Sequence, residues 1–187
     1  MTCFPVTIGG IGYNGTNTNI VFTNCVGISS SSYGVLGSCK HVNCSGYSSS
    51  NYGFRQQGVL AQNCYGYSTA NCGYNVETTT GKAIQCTGVS TAAAAFFCKG
   101  SMFNCVAEST WNNASGHAVT GNSNQFDEIF NCTLIVTNAS ANCLHYGSAI
   151  TVKYGENVFK GATTSVNANI SQGQTNTPDT YGNITVG

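Results

Sequence analysis

The dodecapeptide NCVGISSSSYGV, starting at Asn24, returns as NCSGYSSSNYGF from Asn43 and as NCYGYSTANCGY from Asn63. Anchored on the cysteine that follows Asn or Gln, the pattern continues through Cys25, Cys44, Cys64, Cys86, Cys105 and Cys132, at intervals of 19, 20, 22, 19 and 27 residues. Two residues after the anchor stand Gly27, Gly46, Gly66, Gly88, Ala107 and Leu134, and four after it stand Ser29, Ser48, Ser68, Ser90, Ser109 and Val136. A helical repeat does not fit, because windows full of Gly, Ser, Asn and Thr leave no apolar stripe at helical spacing. One-residue columns arise when each residue lies on its counterpart one coil away. The pattern therefore predicts an all-β chain, a single-stranded right-handed parallel β-helix of about seven coils, each coil about 4.8 Å from the next.

Side chains alternate along a strand, so the anchor phase decides what is inside. Cysteine behaves as a small, readily buried hydrophobe, and the glycines and serines of the same parity fit a narrow interior. The opposite phase would bury Ile28, Tyr47, Tyr67 and Val89 instead. The Asn before each anchor is expected at a corner, in the left-handed backbone region that Asn tolerates. A second column, Gly34-Val35, Gly53-Phe54, Gly73-Tyr74 and Ala95-Phe96, blurs later, where Gly116-His117 and Cys143-Leu144 are the nearest matches. Residues 1–20 read as an N-terminal cap or irregular first coil, 21–160 as the solenoid, and 161–187 as a C-terminal cap or polar tail.

The chemistry available is sparse. Six basic and six acidic residues cancel in 187, and charged residues make up 6%. That surface offers no grip on a phosphate backbone, so nucleic acid is not an expected partner. No apolar run is long enough for a membrane helix, and no membrane insertion is expected. Among eleven cysteines there is no C-x2-C pair, and His41, His117 and His145 are not at ligand spacings, so neither metal nor cofactor is expected. In-register stacking sets Cβ atoms wider than a relaxed disulfide prefers, which favours reduced thiols along the column. Off the column, Cys3, Cys39, Cys72, Cys98 and Cys143 are freer to pair. For catalysis the candidates are Glu108, Asp127 and Glu128, with Glu108 and Glu128 placed to meet only if they lie on neighbouring coils.

Aromatic residues are the stronger signal. With cysteine inward, Tyr47 and Tyr67 share an outward slot three after the anchor, Tyr33 and Tyr52 share another, and Trp111 lies in the insertion that follows Ser109. Flat apolar rings among neutral hydrogen-bonding groups suit sugars, and Tyr47, Tyr67 and Trp111 are the candidate ligand-binding residues. These Asn-Cys repeats (Asn24-Cys25, Asn43-Cys44, Asn63-Cys64, Asn104-Cys105, Asn131-Cys132) resemble the right-handed parallel β-helix repeats of bacteriophage tail fibres and tailspikes and of repetitive bacterial surface proteins. The resemblance implies a homotrimeric, host-facing receptor-binding or adhesin module on a virion tail, or on a bacterial surface or secreted, with cell-surface polysaccharide or glycan as partner. The alternatives are a purely structural or adhesive solenoid and a polysaccharide-degrading tailspike fragment.

Overall fold

The computed structural model describes residues 9–121, 128–148, 150–167, 170–172 and 183–186. Within them every regular element is a strand, and all strands pair in parallel with the counterpart one coil away. Three sheets run the length of a solenoid of about seven coils. Sheet I stacks Tyr13–Gly15, Val35–Gly37, Phe54–Gln56, Tyr74–Val76, Phe96–Cys98, Val119–Gly121 and Leu144–Tyr146. Sheet II stacks Val21–Thr23, Lys40–Val42, Leu60–Gln62, Lys82–Ile84, Ser101–Phe103, Glu128–Phe130, Ile150–Gly155 and Ile170–Gln172. Sheet III stacks Val26–Ser29, Ser45–Ser48, Tyr65–Ser68, Thr87–Ser90, Val106–Ser109, Thr133–Val136, Val158–Lys160 and Ile184–Val186. The ladder thus begins before residue 21, with Tyr13, and extends past Lys160 into the segment read as a cap or tail.

Between sheets II and III the chain turns through a single left-handed residue. Asn24, Asn43, Asn63, Gln85, Asn104 and Asn131 all have φ between 52° and 55°. A side chain that can bond locally lowers the cost of that conformation, which explains the Asn preference. Directly after the corner the thiols of Cys25, Cys44, Cys64, Cys86, Cys105 and Cys132 point inward and are buried. Each donates to the carbonyl two residues back (Thr23, Val42, Gln62, Ile84, Phe103 and Phe130), at 3.2–3.5 Å.

Sulfur also accepts. The corner turns the backbone N–H of Cys86 and of Cys105 into the core, where each meets the thiol of the next coil, Cys105 Sγ and Cys132 Sγ, at 3.4 Å. A buried N–H without a partner costs about 1–3 kcal/mol, so the corner requires a small side chain that both donates and accepts. Cysteine is more than a small hydrophobe here. One coil further on the same place is held by Asn157, with Glu156 as the left-handed residue. Its Oδ1 accepts the Cys132 N–H at 2.9 Å and its Nδ2 donates to Ile129 O at 2.9 Å.

The core is filled by exchange between opposing walls. On sheet I, Phe54, Tyr74 and Phe96 are buried and stack nearly parallel, with centroids 4.7 and 4.8 Å apart. Burial of each ring is worth about 1.5–3 kcal/mol, and ring contact adds about 0.5–1.5 kcal/mol. Room for them comes from sheet III, where Gly46, Gly66 and Gly88 occupy the inward row: a Cβ on Gly46 would lie 2.1 Å from the Gly53 carbonyl oxygen. Where the rings give way to Val119 and Leu144, the glycine gives way to Ala107 and Leu134. The second column is completed by Ala118-Val119, not Gly116-His117: Val119 pairs with Phe96, and His117 belongs to the preceding turn. Ser48, Ser68 and Ser90 close the next corner, each donating to a carbonyl of the preceding coil (Ser32, Asn51 and Asn71) at 2.5–2.7 Å. Each also accepts from the backbone N–H three residues on.

Candidate functional site

The outer face of sheet III carries the first site. Register aligns Ile28, Tyr47, Tyr67 and Val89 on successive coils, all pointing away from the cysteine column. Tyr47 is 36% and Ile28 39% exposed, large values for rings and branched chains that a folded strand normally covers. The Tyr47 and Tyr67 ring centroids are 6.5 Å apart and tilted by 50°. Tyr65, one residue after its anchor and on the same face, comes nearer still to Tyr47, at 5.6 Å. Its column otherwise holds Val26, Ser45, Thr87, Val106, Thr133 and Val158, so tyrosine does not recur in it. Ile28, Tyr47 and Tyr67, with Ser30, Ser49 and Thr69, line a shallow groove of about 280 Å³.

Trp111 does not line that groove. It is half-buried at the end of the coil that carries Glu108, two coils beyond Tyr67, and its carbonyl accepts the Asn113 N–H in a tight turn. Nor do the acids converge. Glu108 lies on sheet III between Val89 and Ile135, whereas Glu128 lies on sheet II and pairs with Lys153, 3.6 Å away. Glu108 and Glu128, about one period apart, thus stand on different walls of the solenoid, and the meeting considered for them does not occur. Asp127 lies outside the described residues.

Sheet I carries a second, polar groove of about 480 Å³. Tyr33 and Tyr52, at the corner preceding this sheet, stack with centroids 5.9 Å apart and planes within 9°. Arg55 spans the face: Nε and Nη2 donate to the Glu77 carboxylate at 2.7 and 2.5 Å, and Nη1 donates to Tyr33 Oη at 2.7 Å. The guanidinium also lies 4.8 Å over the Tyr33 ring. Gln57 donates to Glu77 as well, at 2.8 Å. Chiefly through the Arg55 hydrogen bonds, the Glu77 carboxyl is held below its ordinary range and the guanidinium above its own. Of these residues the sequence marks only the Tyr33–Tyr52 slot. Arg55 and Glu77 are 22 apart and share no repeat column.

Further along the same wall the His117 and His145 rings stack 3.9 Å apart, 9° from parallel. His117 Nδ1 accepts the Asn142 N–H at 3.0 Å. Burial, with the second ring alongside, pushes His117 down to about 4. The described thiols form no disulfide. Burial raises Cys64, lifts Cys72 to about 12, and lifts Cys39 and Cys143 to about 11, which holds these sulfurs protonated and unreactive. In fold the chain is a three-sheet parallel β-solenoid with two differently built surface grooves. Comparison with known proteins finds no matching family profile, curated protein or solved structure.

Proposed function

We propose that the chain is a glycan-binding β-solenoid without catalytic activity, a receptor-binding or adhesin module of the kind found on phage tails and bacterial surfaces. The observation that carries this reading is the outward row Ile28–Tyr47–Tyr67 and the groove it lines. Evolution of a stable strand does not need two tyrosines and an isoleucine stacked on a solvent face; a sugar ring does need flat apolar surface edged by hydroxyls. Serine and threonine supply that edge. The spacing of the rings follows the coil spacing, so successive sugars meet successive coils. Each contact is weak, and attachment gains strength from several copies held together, which is the role we assign to a trimer.

The test is cell or glycan attachment by Tyr47→Ala and Tyr67→Ala, alongside thermal melting and light scattering of the parent chain. Under this reading each variant loses about tenfold in attachment, the equivalent of about 1.4 kcal/mol, with melting unchanged. Both variants attaching normally, or both melting early, would remove the tyrosine groove as the binding face. One chain per particle would remove the trimer alone.

A further inference from the structure

The polar groove on sheet I holds an unmet requirement. Asn75 sits mid-strand between the buried Tyr74 and Val76, so alternation turns it to the outer face, in register between Arg55 and Phe97. It is nevertheless only 4% exposed. Its Oδ1 is buried with no hydrogen-bond partner, one of two such side-chain atoms among the described residues. An amide oxygen in that condition costs about as much as a lost hydrogen bond, and Asn75 is among the residues that line the groove. A ligand that donates there recovers the cost.

The surrounding groups define the ligand. Glu77 accepts three hydrogen bonds from Arg55 and Gln57, and the Arg55–Glu77 pair is neutral as a unit. Three of the five N–H groups of Arg55 are used, leaving two to donate elsewhere. The remaining charge is Lys99, whose ammonium lies 5.8 Å from the Phe97 ring and, among the described residues, has no carboxylate within ion-pair distance. Tyr33 and Tyr52, stacked on each other, add aromatic surface to the lining. Lys99 also acts on Glu77 through space, and the three charges sum to a single positive one, which suits a monoanion better than a phosphate dianion. The orphan acceptor asks for a hydroxyl, and the aromatic surface asks for a ring.

We infer that this groove is a subsite for a carboxylated sugar residue: Lys99 takes the carboxylate, Asn75 and the spare Arg55 donors take ring hydroxyls, and the sugar face lies against the tyrosines. The inference rests on the glycan-binding reading and narrows it to acidic polysaccharide, on a different wall from Tyr47 and Tyr67.

The experiment is an NMR titration of the full ¹⁵N-labelled chain with glucuronic-acid and galacturonic-acid tetrasaccharides and with their carboxyl-reduced, neutral counterparts. The reporter is the Asn75 side-chain amide, assigned by its loss in Asn75→Ala. An acidic tetrasaccharide should shift that resonance and bind about tenfold more tightly than its reduced form. Lys99→Gln, on a half-exposed side chain, should remove that tenfold difference and leave the neutral sugar's affinity unchanged. Tyr67→Ala should leave both affinities at this groove as they were. Silence of the Asn75 amide with every probe, or equal loss of acidic and neutral binding in Lys99→Gln, would overturn the inference. Attachment that fails in Tyr47→Ala and Tyr67→Ala while Asn75 stays silent leaves glycan binding standing and removes only this subsite. A shifting Asn75 amide with normal attachment in both tyrosine variants keeps this subsite and removes only the tyrosine groove.

Discussion

The coils from Cys25 to Phe103 and those after it share one corner and fill it with different cores. In the first group a sheet III glycine row faces Val35, Phe54, Tyr74 and Phe96 of sheet I, the coils are 19–22 residues long, and cysteine holds every anchor. In the second, Ala107 and Leu134 face Val119 and Leu144, coils lengthen to 25–27 residues, and Asn157 takes over from cysteine. Core side chains, loop lengths and even the anchor residue vary. What stays constant is a left-handed residue followed by an inward side chain able to donate and accept. Register in this solenoid is set at that corner, and the core adapts around it.

The largest effect that sharpens this contrast lies in the glycine row. Gly46→Ala puts a methyl 2.1 Å from the Gly53 carbonyl oxygen, against backbone that cannot yield. We expect a loss of at least about 3 kcal/mol, read as a fall of roughly 10 °C in melting temperature. Its counterpart in the second group, Ala107→Gly, should cost only about 1 kcal/mol. Equal effects would mean that the two halves are packed alike.

Next in size is the corner itself. Asn157→Leu fills the site with an apolar side chain and leaves the Cys132 N–H and the Ile129 carbonyl without the partner shown. A loss of about 2–3 kcal/mol is expected from denaturant unfolding, with Asn157→Cys recovering part of it. If leucine is tolerated, hydrogen bonding does not set the column.

That substitution also shows what was legible. The anchor column, the corner asparagines and the strand-only fold could be read because each residue rests on its own copy. Asn157 escaped because the hydrogen-bonding role persisted while the letter changed. Ala118-Val119 escaped because the turn through Asn113 and Gly116 has a length that only its own hydrogen bonds reveal. Tyr47 and Tyr67 were visible as a shared slot; Tyr65, Asn75 and the Arg55–Glu77 pair were not, since they join different columns.

A smaller effect separates the halves by pH. His117 in the second group has its folded value depressed to about 4 from an ordinary 6.5. Between those values the unfolded chain binds more protons, so stability falls as pH drops through that window. The ring is half-exposed, so after solvent screening the loss is on the order of 1 kcal/mol. Glu77 in the first group is depressed from 4.5, so its contribution holds above that value and is lost only on further acidification. Hydrogen exchange at pH 7 and pH 5 should therefore loosen amides around His117 and His145 before those around Arg55. Uniform loosening would contradict the assignment.

The most direct test of the central claim is thiol accessibility, read by mass spectrometry after maleimide treatment. Ten described cysteines are free and buried, and the six anchors among them donate their S–H groups to backbone carbonyls. The account predicts that Cys25, Cys44, Cys64, Cys86, Cys105 and Cys132 stay unmodified in the native chain and all react once it is denatured. Rapid, complete labelling of the anchors under native conditions, or disulfides joining successive anchors, would contradict it.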